Sequence, residues 1–580
     1  MSAECHQKID LYNRAIVVRM VHTLRHGILP GIFVFAVVGA SFVQAQDATN
    51  SATAREKDAN AALSAADIRQ PGGKLVLVLP FENRSGQPNL GWIGDSFPWT
   101  LGQRLNSAGF LAIGRDDRQY AMEHLGLPAD FKPTRATTIR IAQQLDADYV
   151  IVGSYNVANP GTTAARIDVQ AQVLAVNDLR MSPPITGTGE LPKLFDVENA
   201  LAWRVARSMD PRFAVAQQTF LAASGGVGLS AFENYIRGIS APTAEERLKR
   251  LEDAVSAAPG YTPSLLALGK EQYAAREYDE AAATLAKIRA DDRVALEASF
   301  YGGLARFNTA KYAEAEQAFA FVAARLPLPE VVNDEGVAAS RQGKDAVALF
   351  QQVIVTDPND ADYHFNLAVA LLGRNDLSSA LHEDQTALKL HGDDPEAKEL
   401  ESRLETLHGS TANWKAVLYA DGFSPTTRIR RTWSEASVRQ IAFQLDQMRS
   451  IQMAALPPHE AAVEYAKLGN GYLAQGLMPE AEQEFQSALS ADANNASAHA
   501  GIAQVRERTG SPGDARAEAQ ASLKIAPSVD AYLVLARLDL AANQPAASAA
   551  DVASALKIEP ANAAALGMKQ ALALRGQSVP

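Results

Sequence analysis

The apolar pattern changes character along the chain. Residues 46–72 open with QDATNSATAREKDANAALSAADIRQ, which has no apolar stripe and reads as a flexible linker. From Lys74 onward short apolar runs appear. LVLVL (75–79), ended by Pro80, has the length and continuity of a buried strand. FLAI (110–113) and YVIV (149–152) read the same way, and alternation over 166–176 and 185–190 predicts two further strands. Helical spacing between them predicts helices over 97–107, 116–124, 137–145 and 195–208. The first of these has Pro98 in its opening turn and Gly109 as its stop. Strands alternating with helices predict an α/β domain over residues 73–212.

Beyond GGVG (225–228), read as an interdomain hinge, the pattern is helical throughout and acquires a period. Tyr278 and Tyr312 are 34 residues apart, as are Ala281 and Ala315, and Ala346 and Ala380. Ala481, Ala515 and Ala549 repeat at the same interval. A fixed period of paired helices predicts an all-α solenoid. It falls into two arrays, residues 228–407 and 459–576, the second ending in a capping helix near Ala564–Leu574. The unit around Gly336–Ala346 is about two residues short of the period. Residues 408–458 interrupt the repeats. His408–Ser434 carries Gly, Pro and Trp, and a helix follows with Val438, Ile441, Leu445 and Met448 on one face. That helix is expected to pack as a spacer against the second array.

The unit Ala462–Asn495 carries Tyr465, Leu468, Gly469, Tyr472, Gly476, Ala481, Phe485, Ala488 and Leu489 at the spacing of the tetratricopeptide repeat family, which it resembles position by position. Small Gly469 and Ala481 let the paired helices touch, and the bulky residues fill the seams. The resemblance implies a concave groove, lined by the first helix of each unit, that grips peptides. By repeat position Leu266, Lys270, Tyr273, Phe365, Val369, Asn470, Leu473, Gln504 and Arg508 are expected to face it. The Lys/Asn/Arg set that holds a peptide's terminal carboxylate in this family is not recovered; Lys270, Asn470 and Arg508 stand far apart. The groove reads as mixed and partly apolar, which favours an extended or helical protein segment over an acidic tail. Further upstream, PFENRSG, WIGDSFPWTLGQRL, FLAIGRDDRQYAMEHL and IAQQLDADYVIVGSY resemble the amino-terminal domain of TolB-like periplasmic proteins. That resemblance implies an interaction module and a setting in cell-envelope assembly.

Composition sharpens the setting. Residues 1–45 read as a signal peptide, with an apolar core at 31–40 and the small-x-small pattern Val43, Gln44, Ala45 before a cleavage after Ala45. Met20 is a candidate initiator, which would leave residues 1–19 untranslated. An uncleaved inner-membrane anchor is the alternative to a periplasmic or secreted chain. Cleavage removes the single cysteine, Cys5, and with it disulfide, thiol and cysteine-zinc chemistry. It leaves 50 basic and 64 acidic side chains, a net charge of −14, which offers nucleic acid no global attraction.

Candidate chemistry adds little. The triplet Gly94, Asp95, Ser96 resembles the nucleophile motif of Gly-Asp-Ser hydrolases, but no His follows an Asp by three residues, so the general base is missing. Asp95 or Ser96 is expected to cap the following helix instead. His382 and Glu383 open a zinc-helix pattern whose second ligand position holds Thr386. Asp357, Asp360 and Asp362 read as an inter-repeat turn and helix cap, and Arg428–Arg431 as a salt-bridged loop. The expected protein is an exported, non-enzymatic interaction scaffold with protein or peptide partners, no cofactor, no metal and no stable membrane span after cleavage. The alternatives are small-molecule sensing by the α/β domain relayed through the repeats, and a serine hydrolase using Ser96.

Overall fold

The computed structural model describes residues 73–127, 134–222, 227–407 and 413–580. The leader with Cys5, the linker at 46–72 and the glycines at 225 and 226 lie outside the described residues. The described chain forms two compact units: residues 241–438, and residues 73–240 together with 439–580.

In the second unit, seven strands make one mixed sheet: β1 (Leu75–Val78), β2 (Glu82–Asn83), β3 (Leu111–Ala112), β4 (Tyr149–Ala158), β5 (Arg166–Ala175), β6 (Arg180–Met181) and β7 (Ile185–Glu190). The order is β3-β1-β4-β5-β6, with β2 also on β4 and β7 also on β5. The strands β1 and β2 run parallel to β4, and β5 runs antiparallel to it. Four helices accompany the sheet: α1 (Trp92–Ser107), α2 (Arg115–His124), α3 (Arg135–Gln144) and α4 (Leu194–Met209). Leu77, Leu79, Val150 and Leu174 form one buried cluster with Ile141 and Met122 of α3 and α2. One residue along, Val76, Val78 and Ile151 are equally buried and point to the other face, where α1 and α4 pack.

The first helix begins at Trp92, not Phe97, so Pro98 lies inside it and neither Asp95 nor Ser96 caps it. An interior proline withholds the N–H that would reach the carbonyl four residues back. That carbonyl, Gly94, accepts the Phe81 N–H at 3.1 Å instead, so nothing is left unpaired. The approach is close enough that a Cβ on Gly94 would sit 2.4 Å from the Phe81 oxygen. The Phe81 ring then stacks on Phe97 with centroids 4.1 Å apart.

Two short helices, α5 (Gln217–Ala222) and α6 (Leu229–Ser240), complete this part of the chain. The unit at 241–438 holds α7 (Ala244–Ala257), α8 (Thr262–Ala274), α9 (Tyr278–Leu285), α10 (Ala295–Asn308), α11 (Tyr312–Ala323), α12 (Pro329–Arg341), α13 (Val347–Thr356), α14 (Ala361–Gly373), α15 (Leu377–Leu390), α16 (Pro395–Leu407) and α17 (Trp414–Leu418). Helices pair as antiparallel hairpins, α8 with α9 through α14 with α15, each stacking on the next. Their core runs through Phe300, Phe319, Phe350 and Phe365, all fully buried. Residues 423–434 form neither helix nor strand, and α18 (Glu435–Ala454) follows.

The second unit resumes with the hairpins α19 (Pro458–Ala474) and α20 (Met478–Ala491), α21 (Ala496–Arg508) and α22 (Pro512–Ile525), α23 (Val529–Ala541) and α24 (Pro545–Ile558), and the last helix α25 (Ala563–Leu574). Phe485 anchors the first of these among Ala462, Ala466 and Ile502. Spacer helix α18 reaches Glu484 of this array through Arg449 and Asp117 of α2 through Arg439. The α/β domain docks on the same array. Fully buried Glu482 pairs with Arg506 at 2.7 and 2.8 Å and accepts the Ala216 N–H at 2.8 Å, while Arg506 also reaches Thr219 at 2.7 Å.

Candidate functional site: a groove that holds the chain's own segment

Within residues 241–438, the first helices of successive hairpins line up, and the segment Thr426–Trp433 crosses them in reverse order. Thr426 donates its N–H to Glu396 of α16 at 3.1 Å. Arg428 meets α14 and α12, and Trp433 lies 5.5 Å from the Phe300 ring of α10. Packed helices sit about 8–10 Å apart. Passing four of them in so few residues demands a nearly extended backbone, whose reach is about 3.3–3.6 Å per residue.

Two carboxamides and a carboxylate hold that backbone. Asn366 accepts the Arg428 N–H at 2.6 Å and donates to the Arg428 carbonyl at 2.8 Å. Asn333 donates to the same carbonyl at 3.0 Å, and its oxygen accepts the second Asn366 N–H at 2.7 Å. Asp334 accepts the Arg430 N–H at 2.7 Å and an Asn333 N–H at 3.1 Å. All three side chains are wholly buried. Burial pushes the Asp334 carboxyl well above its usual range, against the pull of the Arg430 N–H.

The arginine side chains meet carboxylates. Arg428 reaches Asp394 at 2.5 Å, Asp362 at 2.8 Å and Glu396 at 3.3 Å, with its guanidinium 3.8 Å above the Phe365 ring. Arg430 touches both oxygens of Asp360 with Nη2, reaches Asp362 with Nη1 at 3.0 Å and lies 5.1 Å from the Tyr363 ring centre. Burial works against the charged forms, yet these pairs hold Arg428 above and Asp394 below their ordinary values. Nearby Asp384 is fully buried with neither oxygen hydrogen-bonded, and burial, aided by Glu401 and Asp394, pushes it up to about 8.

The residues expected in the groove fall in several places. Phe365 is its floor beneath Arg428. Lys270 pairs with Glu297 at 2.7 Å and lies over Tyr301; Tyr273 packs on Tyr301 and feels the charge of Arg431. Leu266 is buried with Leu265, Leu285 and Ile288, and Val369 packs against the core. In the other array Arg508 donates to the carbonyl of buried Leu473 at 3.1 Å, Asn470 is exposed and Gln504 is half-buried. The surface around the segment is mixed, with the carboxylates of Asp360, Asp362, Asp394 and Glu396 set among the Phe365, Tyr363 and Phe300 rings. Asp360 does cap its helix through the Asp362 N–H, but both carboxylates also take arginine. The run Arg428–Arg431 is salt-bridged, and its partners are the groove walls. Asn333, Asp334, Asn366, Asp394 and Glu396 escape the sequence reading. The usable signal was two asparagines 33 residues apart, near the repeat period, each on the first helix of its hairpin.

The remaining candidates are structural. Ser96 is fully buried inside α1, out of reach of any substrate. Its hydroxyl touches the Ile93 carbonyl at 2.8 Å and Glu198, and Thr100 donates to Glu198 at 2.6 Å. Burial raises Glu198 to about 7. Glu383 hydrogen-bonds His364 at 2.6 Å, and no group of three or more metal-ligating side chains occurs among the described residues. No helix among them is long and apolar enough to cross a membrane.

Residues 338–404 and 466–530 each match the tetratricopeptide repeat family, one stretch in either unit. The chain carries tetratricopeptide repeats. It thus combines an α/β amino-terminal domain with an all-α tetratricopeptide-type solenoid, an architecture of protein-interaction scaffolds. Among solved structures it is similar to MamA 41-end from Desulfovibrio magneticus RS-1, at 18% identity over 29% of this chain and 99% of that one, with a TM-score of 0.27. It is similar to YrrB, described as a tetratricopeptide protein with an unusual peptide-binding site, at 15% identity over 35% and 99%, TM-score 0.26. It is also similar to the LpoB C-terminal domain from Escherichia coli, at 24% identity over 21% and 86%, TM-score 0.18. No curated protein matches it in sequence.

Proposed function

We propose that this chain is an exported, non-enzymatic scaffold of the cell envelope that captures protein or peptide segments in the concave groove of its repeats. The observation that carries the reading is the grip of Asn333, Asn366 and Asp334 on main-chain atoms of Arg428 and Arg430. Every extended peptide offers such N–H and C=O groups, and flanking side-chain pockets then select among sequences. A groove preformed by stacked hairpins loses little freedom when it binds. The leader-like first 45 residues and the TolB-like resemblance of the α/β domain support the envelope setting.

Affinity capture from envelope extract tests it, with the chain lacking its leader as bait and Asn333→Ala/Asn366→Ala beside it. A discrete set of partners that the double variant loses is the expected result. The same set on both baits, or none on either, sinks the groove as the working surface.

A second reading rests on a cavity in the α/β domain of about 550 Å³, lined by Arg84, Tyr155, Asp168, Gln170, Thr188 and Arg204. That size suits a small molecule, and two arginines would favour an anionic one. A thermal shift with a panel of anionic metabolites, abolished by Arg84→Ala/Arg204→Ala, would establish ligand sensing there.

A further inference from the structure

The segment in the groove has the composition of a ligand rather than of a linker. Its two buried-side cations stand two residues apart, on the same face of an extended backbone. Each finds a planar aromatic beneath it and carboxylates at its edge, the pairing that suits a guanidinium and suits an ammonium poorly. The main-chain clamps fall on the same two residues. Taken out, the segment would leave Asp362, Asp394 and Glu396 without Arg428 and Asp360 and Asp362 without Arg430, while Asp384, close to Asp394, already lacks a hydrogen-bond partner. The groove is therefore built around two arginines.

The segment also stays partly open to solvent. Arg428 and Arg430 keep 22% and 30% of their side-chain surface in solvent. Thr426, Arg431 and Thr432 are exposed, and only Pro425 and Thr427 are buried. These ion pairs are partly solvated and weaken with salt, while Ile429 between them packs against the core. Being covalently attached, the segment competes at an effective concentration on the order of millimolar.

Building on the scaffold reading, we propose that residues 425–433 are a resident pseudo-ligand of the first array. The partner of that array is an extended protein strand carrying the same Arg-x-Arg pattern, and it binds by displacing the resident segment. Free chain is closed to weak or mismatched sequences, and opens to strands that satisfy both arginine pockets and both clamps.

The probe is a fluorescent peptide of residues 424–433, SPTTRIRRTW, titrated by anisotropy into the full chain. The unmodified chain is expected to bind it weakly. Arg428→Glu/Arg430→Glu, which drives the resident segment from the carboxylates, is expected to bind it at least tenfold more tightly. Adding Asn366→Ala to that variant, or making the same two charge reversals in the peptide, should remove the gain. Equal affinity for unmodified and charge-reversed chains overturns the proposal. A folded reversed chain, judged by its helical circular dichroism, that binds no peptide does the same, and makes the segment a structural strap.

A second measurement needs no variant. Hydrogen exchange over residues 424–433 of the unmodified chain should rise when unlabelled peptide is in excess, because the clamped N–H groups of Arg428 and Arg430 are freed. Unchanged exchange at a concentration that saturates binding overturns displacement. Loss of the inference leaves the scaffold reading intact if envelope partners are still captured through Asn333 and Asn366; loss of both captures ends both.

Discussion

The Asn366 carboxamide holds a single residue by both ends of its peptide unit: its oxygen takes the Arg428 N–H at 2.6 Å and its nitrogen gives to the Arg428 carbonyl at 2.8 Å. The same amide binds Asn333 at 2.7 Å, so one side chain ties the segment to two repeats. Replacing it with Ala breaks three hydrogen bonds and strands a buried Asn333 oxygen. Asn366→Ala is expected to destabilise the chain by about 1–3 kcal/mol. Urea unfolding gives the loss, and hydrogen exchange at Arg428 should quicken with it. An unchanged midpoint with unchanged exchange would show that the clamp contributes nothing.

Glu482 tests how the α/β domain is fixed to the second array. It is fully buried between Arg506 and the Ala216 N–H. Removing one member of a buried pair leaves the other charge uncompensated, a cost of about 3–5 kcal/mol. Glu482→Ala should therefore lower the denaturant midpoint sharply, and protease cutting around residues 213–222 should speed up. Wild-type resistance to both would show that the docking rests on other contacts.

Asp384 sets a pH dependence. Its folded pKa is pushed up to about 8, while an unfolded Asp titrates near 3.9. Between about pH 4 and pH 8 the folded chain keeps a proton that the unfolded chain has released. Stability is then complete below about pH 4 and falls as pH rises, by up to about 1.4 kcal/mol per pH unit from this group. Asp384→Asn removes that slope. The variant should melt several degrees above the parent at pH 8 and close to it at pH 4.5. A gap independent of pH would rule out this titration.

Ser96 separates a structural from a catalytic role. Its hydroxyl lies against Glu198, which Thr100 also contacts, and all three are out of solvent. Ser96→Ala strands one side of that carboxyl and should cost about 1–3 kcal/mol in chemical denaturation. Esterase turnover of small acyl substrates should be the same background rate before and after. A turnover that disappears with the hydroxyl would overturn the structural reading.

The helical hairpins were legible because Gly and Ala recur at a fixed interval and each hairpin is stabilised mainly by its neighbours. Three strands were legible as apolar runs and two as alternations, but the two-residue β2 and β6 were not, and β4 runs on past Gly153 to Ala158. The start of α1 was not, because Pro98 imitates an opening turn, and only the distant Phe81 N–H shows how the freed Gly94 carbonyl is satisfied. The groove was half legible. The carboxylates Asp360 and Asp362 and the run Arg428–Arg431 both stood out, each read alone. What joins them is proximity between residues 66 and 70 positions apart, which local periodicity does not encode. Asn333 and Asn366 look like ordinary polar interruptions until the segment lies across them.

The docking of residue 216 on residue 482 has a consequence in time. A contact spanning 266 residues cannot form until nearly the whole chain has been made. The stretch 241–438 is a compact unit whose hairpins each pack on their neighbours in sequence, so it can fold as it emerges. The α/β domain must wait, its α5 surface uncovered, until α20 and α21 arrive. Truncation before residue 482 should therefore yield a soluble first array and an aggregation-prone amino-terminal domain, and slow late steps in refolding should belong to the closing of that long loop.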